Sequence, residues 1–223
     1  MRVYYFSEAK WAVENIAKRR IKACRFYETN DPFELFAGDL SHKQHRERMK
    51  HWAEALNQQF GLLCFTTGWR DSLMWSHYGD RHRGICLGFD VDDNILKVVN
   101  YSPERITFAC RDRADDPAPP ERVKELLLTT KFARWRYENE RRVVDLLTDL
   151  RKEEDRYFRD FDDRLRLVQV IAGHRCSVEW KAKIENAIGG FSEPVDLIKA
   201  RLAFRAFRVT TQKRGFDDPR VWQ

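Results

Sequence analysis

The chain has 223 residues, 43% of them hydrophobic, which is enough for one domain with a buried core and argues against disorder. Forty-one Lys and Arg against 35 Asp and Glu give a net charge of +6, a balance that suits an acidic partner such as nucleic acid or a nucleotide. No stretch approaches the roughly 18 apolar residues of a membrane span, and residues 1–6 lack the apolar core of a signal peptide, so a cytoplasmic protein without a membrane segment is expected.

Residues 3–6 are β-branched and aromatic and read as a first strand. Ser7 reads as the cap of a helix running to about Arg20, with Trp11, Val13, Ile16 and Ala17 near helical spacing. Residues 21–27 read as a strand, followed by the turn Asn30-Asp31-Pro32 and a short helical turn over 33–36. A polar, basic-faced helix is expected over 41–59, then a strand over 62–67. Asp71-Ser72 caps a short helix ending near Tyr78, and a strand runs over 84–89. One or two strands are expected within 95–110. Residues 111–120, with three prolines, read as a solvated loop insertion. Next come a helix over 121–134, a strand over 140–147, a charged segment over 149–166 compatible with helix, a buried strand over 168–172 and a helix over 177–188. Residues 197–209 alternate Leu202, Phe204 and Phe207 with Arg201, Arg205 and Arg208, the pattern of a half-buried last strand. The mixture predicts a single α+β domain over residues 1–223, with central mixed β-sheets and flanking helices.

The five cysteines are odd in number, form no C-x-x-C pair and sit largely in apolar runs, which predicts free thiols and no metal site. Dinucleotide-fold glycine motifs, P-loops, nucleophile elbows and zinc-protease motifs are absent.

Four clusters could carry chemistry. In Trp135-Arg136-Tyr137-Glu138-Asn139-Glu140-Arg141-Arg142, carboxylates two apart share a face of a strand, and the flanking arginines favour their ionised forms. A solvated strand edge is the plainer account of the same pattern. The second cluster, Met74-Trp75-Ser76-His77-Tyr78 with His82, offers an acid–base imidazole and an aromatic face, or simply a helix packed on a sheet; His82 reads as exposed. The third, residues 30–34, reads as a turn, which on a functional account would sit at the mouth of a site. The fourth is basic: residues 18–25, then Lys43, Arg46, Arg48 and Lys50, then Arg201, Arg205 and Arg208. Arginine can grip phosphate with a bidentate fork, and Arg46, Arg48, Arg205 and Arg208 are the candidate nucleic-acid contacts.

Taken together, Asn-Asp-Pro-Phe, Cys-Phe-Thr, Met-Trp-Ser-His-Tyr, Gly-Ile-Cys-Leu-Gly-Phe-Asp and Trp-x-Tyr-Glu-x-Glu-x-Arg resemble the bacterial domain-of-unknown-function family 2971 across residues 3–175. More distantly, the order of parts is similar to the ADP-ribosyltransferase fold of DarT-like toxins. That resemblance implies NAD as substrate, with Arg2, Tyr4, Phe65, His77 and Tyr78 as cofactor-binding residues. Glu140 would then stabilise the oxocarbenium as nicotinamide leaves, assisted by Glu138. Tyr4-Tyr5-Phe6 departs from the pattern, since such enzymes usually carry a His or Arg in the first strand. The resemblance implies a toxin or phage-defence effector modifying nucleic acid, with an antitoxin or defence-system partner. It also implies that Glu140→Gln abolishes transfer while leaving the fold nearly intact. The alternative is a non-enzymatic nucleic-acid- or protein-binding regulatory domain with an inactive cleft; a metal-dependent nuclease ranks last.

Overall fold

The computed structural model describes residues 1–107, 118–213 and 219–222. In chain order the elements are β1 (Arg2–Ser7), α1 (Ala9–Ala17), β2 (Arg20–Ala23), α2 (Lys43–Gln59), β3 (Phe60–Thr66), α3 (Ser72–His77), β4 (Ile85–Val91), β5 (Lys97–Val98) and β6 (Asn100–Ser102). After these come α4 (Glu121–Thr129), β7 (Thr130–Phe132), β8 (Glu140–Leu146), β9 (Arg151–Glu153), β10 (Arg156–Asp160), β11 (Leu165–Ala172), α5 (Glu179–Ile188), β12 (Asp196–Leu202) and β13 (Val209–Thr211). The chain is mixed α+β. It forms two compact units: Met1–Ile21, Phe65–Ile95 and Asp160–Gln223 make the first, Lys22–Cys64 and Leu96–Arg159 the second. No helix among the described residues is long and apolar enough to cross a membrane.

In the first unit the strand order is β13-β12-β11-β4-β1. Strand β4 reads ICLGFDV, and six of its seven residues are buried. Such a near-continuous apolar run belongs to a strand covered on both faces. It pairs antiparallel with β1, from Arg2↔Asp90 to Ser7↔Ile85, and with β11, from Leu165↔Val91 to Ala172↔Ile85. The β11–β12 pair is parallel, so the sheet is mixed. Helix α1 packs on β1 and β4 and against α5. Its buried face is Ala9, Ala12 and Ile16, while Trp11 is exposed. The predicted Ser7 cap does not form; Ser7 ends β1, and Glu8 precedes the helix without a side-chain cap. Asp71 does cap α3, accepting from the Leu73 and Met74 amides.

A tight turn joins α3 to β4. Asp80, Arg81 and His82 all have left-handed φ, at 46°, 52° and 70°. Gly84 closes the turn by donating to Gly79 O at 2.9 Å. A Cβ on Gly84 would run into the Ser7 carbonyl oxygen and the Gly79 backbone, which is why the position takes no side chain.

In the second unit β3, β8 and β5 lie in that order, with β5 antiparallel to β8. Helix α2 buries Met49, Trp52, Ala53 and Leu56, spaced i, i+3, i+4 and i+7. These pack with Phe26, Leu35, Leu62, Leu127 and Leu128 into one apolar cluster. Each large side chain so buried contributes roughly 1.5–3 kcal/mol relative to exposure.

Three expectations are corrected. Residues 149–166 hold no α-helix: β9 and β10 form a hairpin whose turn residue Glu154 has φ 53°, with Arg156 opposite Glu153 and Phe158 buried. Opposed charges and a buried aromatic favour this cross-strand pairing over helix. The helix predicted over 121–134 stops at Thr129, where two threonines lead into β7. Residues 197–209 are not one strand. β12 ends at Leu202 and β13 returns antiparallel from Val209. Phe204 and Phe207, expected on a half-buried face, are 90% and 106% exposed. Cys24, Cys64, Cys86 and Cys176 are free thiols, as expected. Cys110 and most of the predicted 111–120 insertion lie outside the described residues.

Candidate functional site

The most concentrated chemistry lies in the second unit, around the Tyr-Glu-x-Glu-x-Arg segment. A 3-10 helix over Ala133–Glu138 follows β7, and Asn139 turns the chain through a left-handed φ of 44° into β8. Asn tolerates that conformation better than other non-glycine residues. Glu138 and Glu140 therefore do not share a face of one strand as expected, since Glu138 ends the 3-10 helix and Glu140 opens β8. They converge all the same, because both reach Lys131 on β7, the strand just before the 3-10 helix, at 2.6 Å and 3.2 Å.

Arg142 completes the cluster. Its Nε and Nη2 donate to Glu140 at 2.8 and 3.2 Å, Nη1 and Nη2 to Glu34 at 3.0 and 2.5 Å, and Nη1 to the Leu128 carbonyl at 2.9 Å. The Lys131 ammonium also lies 4.9 Å from the Trp135 ring centroid. All five charged residues are buried, Glu140 to 2% exposure and Arg142 to 0%. Burial alone would favour a neutral Glu140, but Arg142 and Lys131 outweigh it and hold its carboxyl down to about 2. Burial pushes Lys131 down, yet the surrounding glutamates win and raise it. Glu34 goes the other way: burial pushes its carboxyl up despite Arg142. Burial likewise drives the Tyr101 phenol up to about 12, and its oxygen accepts from the Glu140 amide at 2.8 Å.

Sequence reasoning found Glu138, Glu140 and Arg142 but missed Lys131 as their partner. Its signal was a lone lysine after an apolar helix end, Leu126-Leu127-Leu128-Thr129-Thr130. In the sequence Glu34 reads only as part of a turn, and the residues around it line a cavity. Phe33 and Phe36 face it, together with Thr130, Lys131 and Phe132 from β7.

The five residues expected to hold a cofactor belong to the first unit. Arg2 makes a bidentate pair with Asp90, at 2.9 and 3.0 Å. Tyr4 stands in register with Gly88 on one side and Thr66 on the other. Phe65 is a core residue, 2% exposed, with Tyr5 and Phe89 packed edge-on against it. His77 is exposed beside a half-buried Tyr78, their rings 6.1 Å apart. His82, expected in the open, stacks on Trp75 at 6.2 Å, and burial lowers its pKa.

The basic candidates differ among themselves. Arg46 donates to the Leu40 and Ser41 carbonyls, and Arg48 lies over the Trp52 ring at 5.9 Å. Arg205 and Arg208 are exposed on the loop between β12 and β13. The Ala203 amide donates to Arg208 O at 3.0 Å and closes that loop.

Residues 74–143 match the model of a family described as protein of unknown function (DUF2971), in accord with the resemblance read from the sequence. No curated protein and no solved structure matches the chain.

Proposed function

We propose that the protein is a nucleic-acid-binding domain that holds single strands on the loop over 203–208. The observation that carries this reading is the loop's surface. Phe204 and Phe207 stand almost wholly in water, interleaved with Arg205 and Arg208. The sequence from 197 to 213 contains no Asp or Glu. The Arg201 guanidinium lies 4.4 Å from the Phe204 ring centroid, building a flat cationic stack. Bases stack on such rings and phosphates pair with such arginines, so a single strand satisfies both features at once. An anionic membrane fits less well. Inserting Phe204 would drag the stacked guanidinium toward hydrocarbon, at a cost of several kcal/mol.

The test is fluorescence anisotropy with labelled single-stranded and duplex oligonucleotides at two salt concentrations. The single strand should bind more tightly, and its affinity should fall steeply with salt. Phe204→Ala with Phe207→Ala should weaken it by roughly tenfold per lost stack. Arg205→Glu with Arg208→Glu should weaken it and flatten the salt slope. Binding to anionic vesicles alone, or oligonucleotide binding indifferent to both pairs of changes, would sink the proposal.

A second reading, NAD-dependent ADP-ribosyl transfer, has its own support: Glu140 is held ionised, the charge state an oxocarbenium needs beside it. It ranks second because both Glu140 oxygens are engaged by Arg142 and Lys131. A ribose hydroxyl reaches that carboxylate only if Lys131 yields. Incubation with labelled NAD and nucleic acid decides it; absence of both label transfer and nicotinamide release would dismiss it.

A further inference from the structure

The cavity of the second unit is lined by charge as well as by rings. It encloses about 240 Å³ between the turn at Phe33 and Phe36, the segment 102–105 after β6, and β7. Phe33 and Phe132, 49% and 43% exposed, leave large apolar surface in water beside it. Glu104 and Arg105 stand in the same lining, and both are exposed.

Arg105 is held in place without being used up. Its guanidinium lies 5.4 Å from the Phe33 ring centroid, and Nη1 donates to the Phe36 and Gly38 carbonyls at 2.6 and 3.1 Å. Nε and Nη2, the edge that forks onto a carboxylate, have no partner among the described residues. A guanidinium fixed before any ligand arrives lowers the ordering cost of binding. Glu104 is bonded only through its backbone, to the Ser102 hydroxyl, and its carboxylate has no cationic partner among the described residues. Lys131 also lines the cavity, but its ammonium is committed to Glu138 and Glu140.

Two opposite charges, unpaired with each other, thus flank one aromatic slot. The pairing narrows the ligand class. An uncharged ring would cover both charges and return nothing for the water they lose. A simple carboxylate would meet Glu104, and a simple amine would meet Arg105. A molecule carrying both an anion and a cation on the same carbon as a ring-bearing side chain satisfies all three features.

We infer that this cavity binds a free α-amino acid with an aromatic side chain: Arg105 takes the carboxylate through Nε and Nη2, Glu104 takes the ammonium, and Phe33, Phe36 and Phe132 enclose the ring. The inference does not rest on the 203–208 loop, which belongs to the first unit.

The experiment is a ligand-observed NMR titration of the full chain with L-phenylalanine and three truncated forms of it. Hydrocinnamate lacks the ammonium, phenethylamine lacks the carboxylate, and L-alanine lacks the ring. Phenylalanine should bind saturably and more tightly than all three. Glu104→Gln, at an exposed position that braces nothing, should weaken phenylalanine about two- to fivefold and leave hydrocinnamate no weaker. Arg105→Gln should weaken phenylalanine and hydrocinnamate roughly tenfold and spare phenethylamine. Should Arg105→Gln fail to fold for want of its bonds to the 36–38 carbonyls, Glu104→Gln and the truncated ligands still decide the matter. Phe132→Ala should weaken phenylalanine and leave alanine unchanged. Arg205→Glu with Arg208→Glu should leave phenylalanine binding untouched, so failure of the loop proposal and failure of this one are separable. No saturable phenylalanine binding, or hydrocinnamate binding equal to it with no effect of Glu104→Gln, overturns the assignment.

Discussion

Replacing Glu140 by Gln keeps the side chain's size and one acceptor oxygen but deletes a charge inside the buried cluster. The ADP-ribosyltransferase resemblance implies that such a change leaves the fold nearly intact; the geometry predicts the opposite. Glu140 accepts three hydrogen bonds, two from Arg142 and one from Lys131, at 2% exposure. In the variant, an amide NH2 faces at least one of these cationic donors, with no water to compensate. Removing one partner of a buried ion pair typically costs about 3–5 kcal/mol. Linkage gives a figure of the same order. The Glu140 carboxyl is lowered from the usual 4.5 to about 2. At about 1.4 kcal/mol per unit, that shift corresponds to roughly 3 kcal/mol of stability. Because the folded value is depressed, the unfolded state binds the extra proton between the two values. The contribution is thus fully present above about pH 4.5 and is lost as pH falls toward 2. Against a typical total of about 5–15 kcal/mol, the deficit is large. Urea denaturation of wild type and Glu140→Gln from pH 7 downward should show the widest gap at neutral pH and a narrowing gap below about 4.5. A variant within about 0.5 kcal/mol of wild type at pH 7 would refute the view that this carboxylate holds the second unit together.

Two further outcomes follow from local geometry. Gly84→Ala should lower the melting temperature strongly or prevent folding, because the new methyl meets the Ser7 carbonyl and the Gly79 backbone; a melting temperature like wild type would show that this turn gives way easily. Cys86 and Cys176, both at 0% exposure with thiols pushed up by burial, Cys176 to about 11, should resist a thiol reagent in the native protein and react once denatured. Rapid native labelling of either, read by peptide mass spectrometry, would contradict the packing around them.

Much of the element order was legible because it rests on local signals: the apolar run of β4, the Asp71 cap, the 3.6-residue spacing of Met49, Trp52, Ala53 and Leu56. Misreadings arose where two periodicities compete. The alternation of Phe and Arg from 201 to 208 satisfies a strand pattern, yet the chain turns back after Leu202 and leaves both aromatics outside. Residues 149–166 carry enough charge to read as helix, but pairing across the hairpin is a non-local choice. The cluster was half legible. Glu138 and Glu140 announce themselves by type and spacing. Lys131 and Glu34 join them only through chain reversals that no short window contains.

The charge cluster also bears on how this sequence can drift. Glu34, Lys131, Glu138, Glu140 and Arg142 interlock as three carboxylates on two cations, so losing Lys131 or Arg142 leaves buried carboxylates without their counter-charge, and losing a glutamate strips a buried cation of its hydrogen-bond partner. Single steps away from it are penalised, while a concerted swap of several members for apolar residues of similar volume can be nearly neutral. Stepwise mutation seldom makes that jump. Four of the five members fall within the matched span 74–143. Purifying selection on folding alone would hold a Tyr-Glu-x-Glu-x-Arg signature in place, so persistence of these letters across descendants would record a trapped solution to burial as readily as a retained reaction.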